Sequence, residues 1–116
     1  MSKSYRDLLV WQKSFNICVD IYEKCQKMPA TDEFNLVSQI TRCAVSIPFN
    51  IAEGQQRNSS KEFIHFLSIA RGSAAELSTQ LLLANKIYKI EVDNLLVELE
   101  EVQKMLFVLQ KKLINK

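Results

Sequence analysis

The single histidine, His65, stands in Glu62-Phe63-Ile64-His65, the E-x-x-H spacing that supplies a carboxylate and an imidazole to di-iron carboxylate bundles. That site needs a second E-x-x-H, and one histidine per chain cannot provide it, so no metal is expected. The same count leaves His65 as the sole base for a Ser-His-Asp or Cys-His arrangement, and nothing else nominates it. Cys18, Cys25 and Cys43 are odd in number and lack C-x-x-C spacing, which argues against a disulfide framework or a zinc site. They read as small buried hydrophobes, with Cys18 and Cys25 on one helical stripe. Gly54 and Gly72 are the only glycines, too few for a phosphate-cradling loop. Glu53 and Glu76 have Arg42, Arg57 and Arg71 available as ion-pair partners, a reading preferred to paired-carboxylate catalysis. These residues point to a protein without catalytic activity, cofactor or small-molecule substrate.

A polar cluster beside an apolar seam is the stronger local signal. Pro48 lies inside a run of helical spacing, so it deletes one backbone donor and frees the carbonyl of Ala44. Asn50 is expected to help satisfy the backbone opened there, and Glu53 to pair with Arg71 or Arg57. The alternative is that Asn50 and Glu53 line a ligand or subunit contact.

Four helices must position these groups. The chain has 116 residues, 47% hydrophobic and 24% charged, which suits one domain over 1–116. With two Gly and two Pro it lacks the turn residues of an all-β fold. Leu8, Trp11, Phe15, Cys18, Tyr22 and Cys25 recur at helical spacing as the seam of a first helix over about 5–28, which Pro29 ends. Val10, Ile17, Ile21 and Met28 form an adjacent stripe, and Val10, Ile17 and Ile21 are assigned to an oligomer interface. A charge at Ile17 or Ile21 is then expected to dissociate an assembly and leave it helical. Leu36, Val37, Ile40, Ala44, Ile47 and Ile51 mark a second helix over 35–56, with Thr31 or Asn35 available as its cap. Ser59-Ser60-Lys61-Glu62 is a capping box opening a third over 59–87. Its Gly72-Ser73-Ala74-Ala75 patch suggests a close helix crossing. Leu95, Leu99, Val102, Leu106 and Leu109 lie in a fourth, over 92–115, acidic at its start and basic at its end. Short connections make this an all-α, antiparallel up-down-up-down four-helix bundle.

Residues 1–7 hold Lys3, Arg6 and Asp7 and no apolar h-region, and the longest apolar run, 43–52, is half of a membrane span. The expectation is a cytoplasmic protein without a membrane contact. Net charge is +2, too small to announce a nucleic-acid binder. Lysine pairs nonetheless gather near helix ends: Lys24 with Lys27, Lys86 with Lys89, and Lys111 and Lys112 with Lys116. Two or three of these could merge into a phosphate-binding surface, with scattered solubilising lysines as the plainer alternative.

Tyr5-Arg6-Asp7-Leu8 with Val10-Trp11-Gln12-Lys13, then Gln39-Ile40-Thr41-Arg42-Cys43-Ala44-Val45-Ser46-Ile47-Pro48-Phe49-Asn50-Ile51-Ala52-Glu53-Gly54, resemble the bacterial 23S rRNA intervening-sequence proteins, also described as S23 ribosomal protein-like. Gly72-Ser73-Ala74-Ala75-Glu76-Leu77 with Gln80-Leu81 is similar to that family's third signature, so Pro48, Asn50, Glu53, Gly54, Arg71, Gly72 and Glu76 are read as structural motif residues. Phe49 and Cys43 depart from the residues usual there. The resemblance implies a four-helix bundle without enzymatic activity that forms homopentameric rings. It also implies kinship with accessory proteins of diversity-generating retroelements, which are basic barrels that bind nucleic acid. Two functions follow as expectations: a homo-oligomer binding RNA or a ribonucleoprotein through lysine-rich helix ends, or an oligomeric protein-interaction scaffold without nucleic-acid contact. Salt separates them, since phosphate contacts weaken steeply with added salt and apolar contacts do not.

Overall fold

The computed structural model of the chain describes residues 4–115. Four helices follow one another: α1 Leu9–Cys25, α2 Leu36–Gln55, α3 Ser60–Tyr88 and α4 Asp93–Ile114. Two 3-10 turns, Tyr5–Asp7 and Ala30–Asp32, complete the order, and no strand occurs among the described residues. α1 packs on α2 and α4, and α3 packs on the same two, most extensively on α2. The result is an antiparallel four-helix bundle measuring 47 × 21 × 20 Å, as the periodicity predicts. At about 1.5 Å per residue α3 alone spans nearly its length.

Local chemistry sets the element ends. The first helix does not start at Tyr5, because Leu8 is extended at ψ 124°. Ser4 caps a 3-10 turn by accepting the Arg6 N–H at 3.1 Å, and Gln12 Nε2 donates back to the Arg6 carbonyl at 2.8 Å. Asn35 occupies the cap position of α2, but its side chain makes no capping bond. Ser59 behaves as its sequence context predicts: its hydroxyl accepts the Glu62 N–H at 3.1 Å and faces the Glu62 carboxylate at 3.3 Å. α3 closes on Lys89 in the left-handed region, φ 58°, with its N–H bonded to the Asn85 carbonyl.

The face of α1 that enters the core corrects the sequence reading. Ile17 and Ile21 are 0% exposed and Val10 is buried, all three within the core cluster. They hold the chain's own bundle together and cannot form an interface between chains. Their stripe is completed by Ser14, a small residue whose hydroxyl is satisfied by the Trp11 carbonyl at 2.9 Å. The stripe read as the seam is the outer one, with Phe15 and Tyr22 exposed.

The two glycines also differ from one another. Gly54 is buried where α2 meets α3, and a Cβ there would lie 2.8 Å from Phe66 Cβ and 2.9 Å from Phe63 Cδ1. Gly72, the expected crossing point, is exposed, and a Cβ added to it would meet nothing within 4 Å. The close approach of helices is therefore at Gly54.

Candidate functional site

The polar motif residues converge on the α2–α3 interface and on the proline. α2 continues through Pro48, and the Ala44 carbonyl it frees is taken by α1, whose Cys18 thiol donates to it at 3.1 Å. Asn50 does not reach that carbonyl. It donates instead to the Ser46 carbonyl at 2.7 Å and to the Ser46 hydroxyl at 3.0 Å. Ser46 bonds Ser73 across the interface at 2.7 Å, and the Cys43 thiol donates to the Ser73 carbonyl at 3.1 Å. Ser46, Ser73 and Cys43 share a shallow cleft of about 290 Å³ with Arg42, Glu76 and Gln80. Glu53 pairs with Arg57 at 2.7 Å, one of its two expected partners. Glu53 and Asn50 thus act within their own helix or its immediate end.

Burial governs the thiols. Desolvation pushes Cys18 up to about 11, and desolvation followed by the Glu76 charge pushes Cys43 to about 11 as well. Cys25 is raised by desolvation. Thiols held protonated are hydrogen-bond donors and poor nucleophiles at neutral pH. His65 is exposed, its ring edge-on to Phe66 at 5.5 Å. No group of three or more His, Cys, Asp or Glu side chains is placed to hold a metal ion among the described residues. Nor is any helix among them long and apolar enough to cross a membrane.

The fold brings two of the three lysine clusters to one end and the third to the other. Lys24, Lys27, Lys86 and Lys89 gather at the end where α1 joins α2 and α3 joins α4, whereas Lys111 and Lys112 lie at the opposite end. Lys116 lies outside the described residues. At the first end the four lysines stand among seven carboxylates, those of Asp20, Glu23, Asp32, Glu33, Glu91, Asp93 and Glu98. One groove there is lined by Lys24 and Lys27 together with Asp20, Glu23, Glu91 and Glu98. Carboxylates outnumber lysines at this end, which disfavours phosphate. At the other end Arg6, Arg57, Lys61, Lys111 and Lys112 outnumber Asp7, Glu53 and Glu62, and Arg71 lies further along α3. Glu53 and Glu62 are both engaged by Arg57, and none of the described ion pairs involves Arg71, Lys111 or Lys112.

Arg71, a motif residue and an expected partner for Glu53, faces α4 instead, where its Nη1 donates to Gln110 Oε1 at 2.9 Å. Gln110, 7% exposed, is itself fixed by donating to the Ile64 carbonyl and the Ser68 hydroxyl. Gln103 Nε2 donates to the Arg71 carbonyl at 2.9 Å. The Arg71 guanidinium lies 5.4 Å from the centroid of the Phe107 ring, and Lys111 Nζ lies 5.5 Å from it. Phe107 belongs to none of the sequence motifs. Its one sequence signal is spacing, Phe107 and Lys111 being one helical turn apart.

Most of the exposed aromatic side chains gather on the α1–α2 side of the molecule. Phe15, Val19 and Tyr22 of α1 and Phe49 of α2 line an almost wholly apolar groove of about 430 Å³ with Cys18, Val45 and Pro48. Tyr22 continues into a second groove bounded by Phe34, which is 92% exposed in the α1–α2 connection. Further exposed apolar residues, including Leu82, Leu83, Ile87 and Val97, lie on α3 and α4.

The comparisons with known proteins agree with this architecture. A crystal structure of a protein of unknown function from the S23 ribosomal protein family of Bacteroides thetaiotaomicron superposes with a TM-score of 0.66 at 29% identity, covering 92% of this chain and 96% of that one. A search of curated proteins gives no match. The family model for the 23S rRNA-intervening sequence protein matches residues 6–108, a span running from the first 3-10 turn through Phe107 and including the whole α2 motif. The bundle, its Pro48–Gly54 segment and this match make the chain a member of the 23S rRNA-intervening sequence protein family.

Proposed function

We propose that the protein works without catalysis, as a self-associating bundle that binds RNA with the end where α4 finishes. One observation carries the reading: of the five exposed aromatics, four gather on one side of the bundle, and the fifth, Phe107, lies between cations. The aromatics Phe15, Tyr22, Phe34 and Phe49 belong to the α1–α2 side, while Arg71, Lys111 and Lys112, which make no ion pair among the described residues, belong to α3 and α4. A clustered aromatic surface on a small protein marks a protein contact. Its occupant here is a second copy of the chain, and five copies is the number that the family resemblance implies. Cations with no carboxylate partner favour a polyanion, and assembly would repeat the cationic end and add avidity.

The reading changes the RNA-binding assignment by residue. Lys111 and Lys112 are retained, whereas Lys24 and Lys27 share a groove with four carboxylates, and Lys86 and Lys89 lie at that same, more acidic end. Binding of labelled single-stranded RNA, followed by anisotropy as salt is raised, tests it. Affinity falling steeply with salt supports the reading. Absence of RNA binding at low salt by a protein that still self-associates leaves the scaffold without nucleic-acid contact.

A further inference from the structure

We infer that Phe107, flanked by Arg71 and Lys111, is a stacking platform for an unpaired base of single-stranded RNA. The inference rests on the RNA-binding reading above and names its contact site. Phe107 is 46% exposed, so part of its ring faces solvent. Two cations lie within 5.5 Å of the ring centroid, one from each of two helices, and neither has a carboxylate partner among the described residues. An aromatic ring bordered by free cations combines the two elements that single strands require: a π-face for the base and positive charge for the backbone.

Preorganisation separates this cluster from a chance pair of surface side chains. Arg71 is half-buried and held by the almost fully buried Gln110, which α3 fixes through Ile64 and Ser68. The guanidinium therefore stays over one part of the ring without RNA present, and little side-chain entropy is lost on binding. By contrast Arg57, another arginine over an aromatic ring at this end, lies 4.8 Å from Phe66 but is neutralised by Glu53 and Glu62. A duplex keeps its bases stacked on each other and offers no base to Phe107, so the site selects single strands.

The test is anisotropy with a labelled unstructured RNA of about 12 nucleotides and the matching duplex, from about 50 mM salt upward. The wild type is expected to prefer the single strand. Phe107→Leu, which keeps an apolar side chain, should weaken single-strand binding about tenfold with the salt slope unchanged. Phe107→Trp should restore it, and both variants should match the wild type in helicity and mass. Lys111→Gln should lower the magnitude of the log–log salt slope by about 0.7, the value for one phosphate contact on a single strand. If Phe107→Leu binds the single strand as tightly as the wild type, the platform is refuted while RNA binding stands. Polyglutamate competing as well as RNA at matched charge would refute the platform too, since a site that reads only charge has no stacking component. A wild type that binds neither RNA overturns both the platform and the reading beneath it.

Discussion

The Cys18 thiol of α1 donates to the Ala44 carbonyl of α2, the acceptor that Pro48 strips of its helical donor. A defect within one helix is thus repaired by a side chain from its neighbour. Removing the thiol leaves a buried acceptor unpaired, so Cys18→Ala should cost about 1–2 kcal/mol and Cys18→Ser distinctly less. Urea denaturation of a double-mutant cycle isolates the effect, because Pro48→Ala returns an N–H to position 48. Cys18→Ala should cost less in that background, and equal costs in both would contradict the repair.

The same thiols make stability fall in alkali. Cys18 and Cys43 are raised from 9.0 to about 11, so the folded state favours their protonated forms. Their contribution is fully present below pH 9 and is lost as pH rises toward about 11, because the unfolded chain ionises first. Urea midpoints measured across this window should fall for the wild type more steeply than for a Cys18→Ala/Cys43→Ala variant. Parallel curves would show that other groups drive the loss.

The two glycines should respond with opposite signs. Gly54→Ala drives a methyl against Phe66 and Phe63 and should destabilise by about 1–3 kcal/mol. Gly72→Ala meets open space in the middle of α3 and should stabilise by about 0.5–1 kcal/mol. Thermal melts of the two variants decide it, and a stabilised Gly54→Ala would place the helix crossing elsewhere.

Charges on the two stripes of α1 should also separate. Ile17→Asp or Ile21→Asp buries an unpaired charge in the bundle core, at a cost of about 4 kcal/mol or more, and should abolish helicity. Phe15→Ser with Phe49→Ser strikes the outer groove and should lower the solution mass while circular dichroism stays helical. Loss of helicity from the outer pair would merge the two stripes into one core.

Helix number, order and most boundaries are legible in the sequence because each rests on a local signal: the 3.6-residue period, Pro29 after α1, and the Ser59 cap. The choice of face is not. Two apolar stripes of similar strength run along α1, and the buried one contains Ser14, a polar residue that makes it the weaker on composition alone. Gly72 misleads for a related reason, since a glycine in mid-helix signals close approach only when a neighbour is there, and the neighbour is at Gly54. The Arg71–Phe107 pairing spans α3 and α4, and no periodicity within one helix encodes which side chains meet across two. Charge is equally hidden, because lysines close in sequence look like a cluster, while Glu91 and Glu98 reach Lys24 and Lys27 only through the fold.

Self-assembly and RNA contact at the α4 end can be read together from light-scattering mass on a sizing column, with and without single-stranded RNA at low and moderate salt. Three proteins suffice: the wild type, Lys111→Gln/Lys112→Gln and Lys24→Gln/Lys27→Gln. All three should run as a multiple of the 13.4 kDa chain. RNA should add to the mass of the wild type and of the Lys24/Lys27 variant, reversibly with salt, and should leave the Lys111/Lys112 variant unchanged. A single 13.4 kDa species indifferent to RNA, or equal loss of RNA from both variants, would overturn the proposed function.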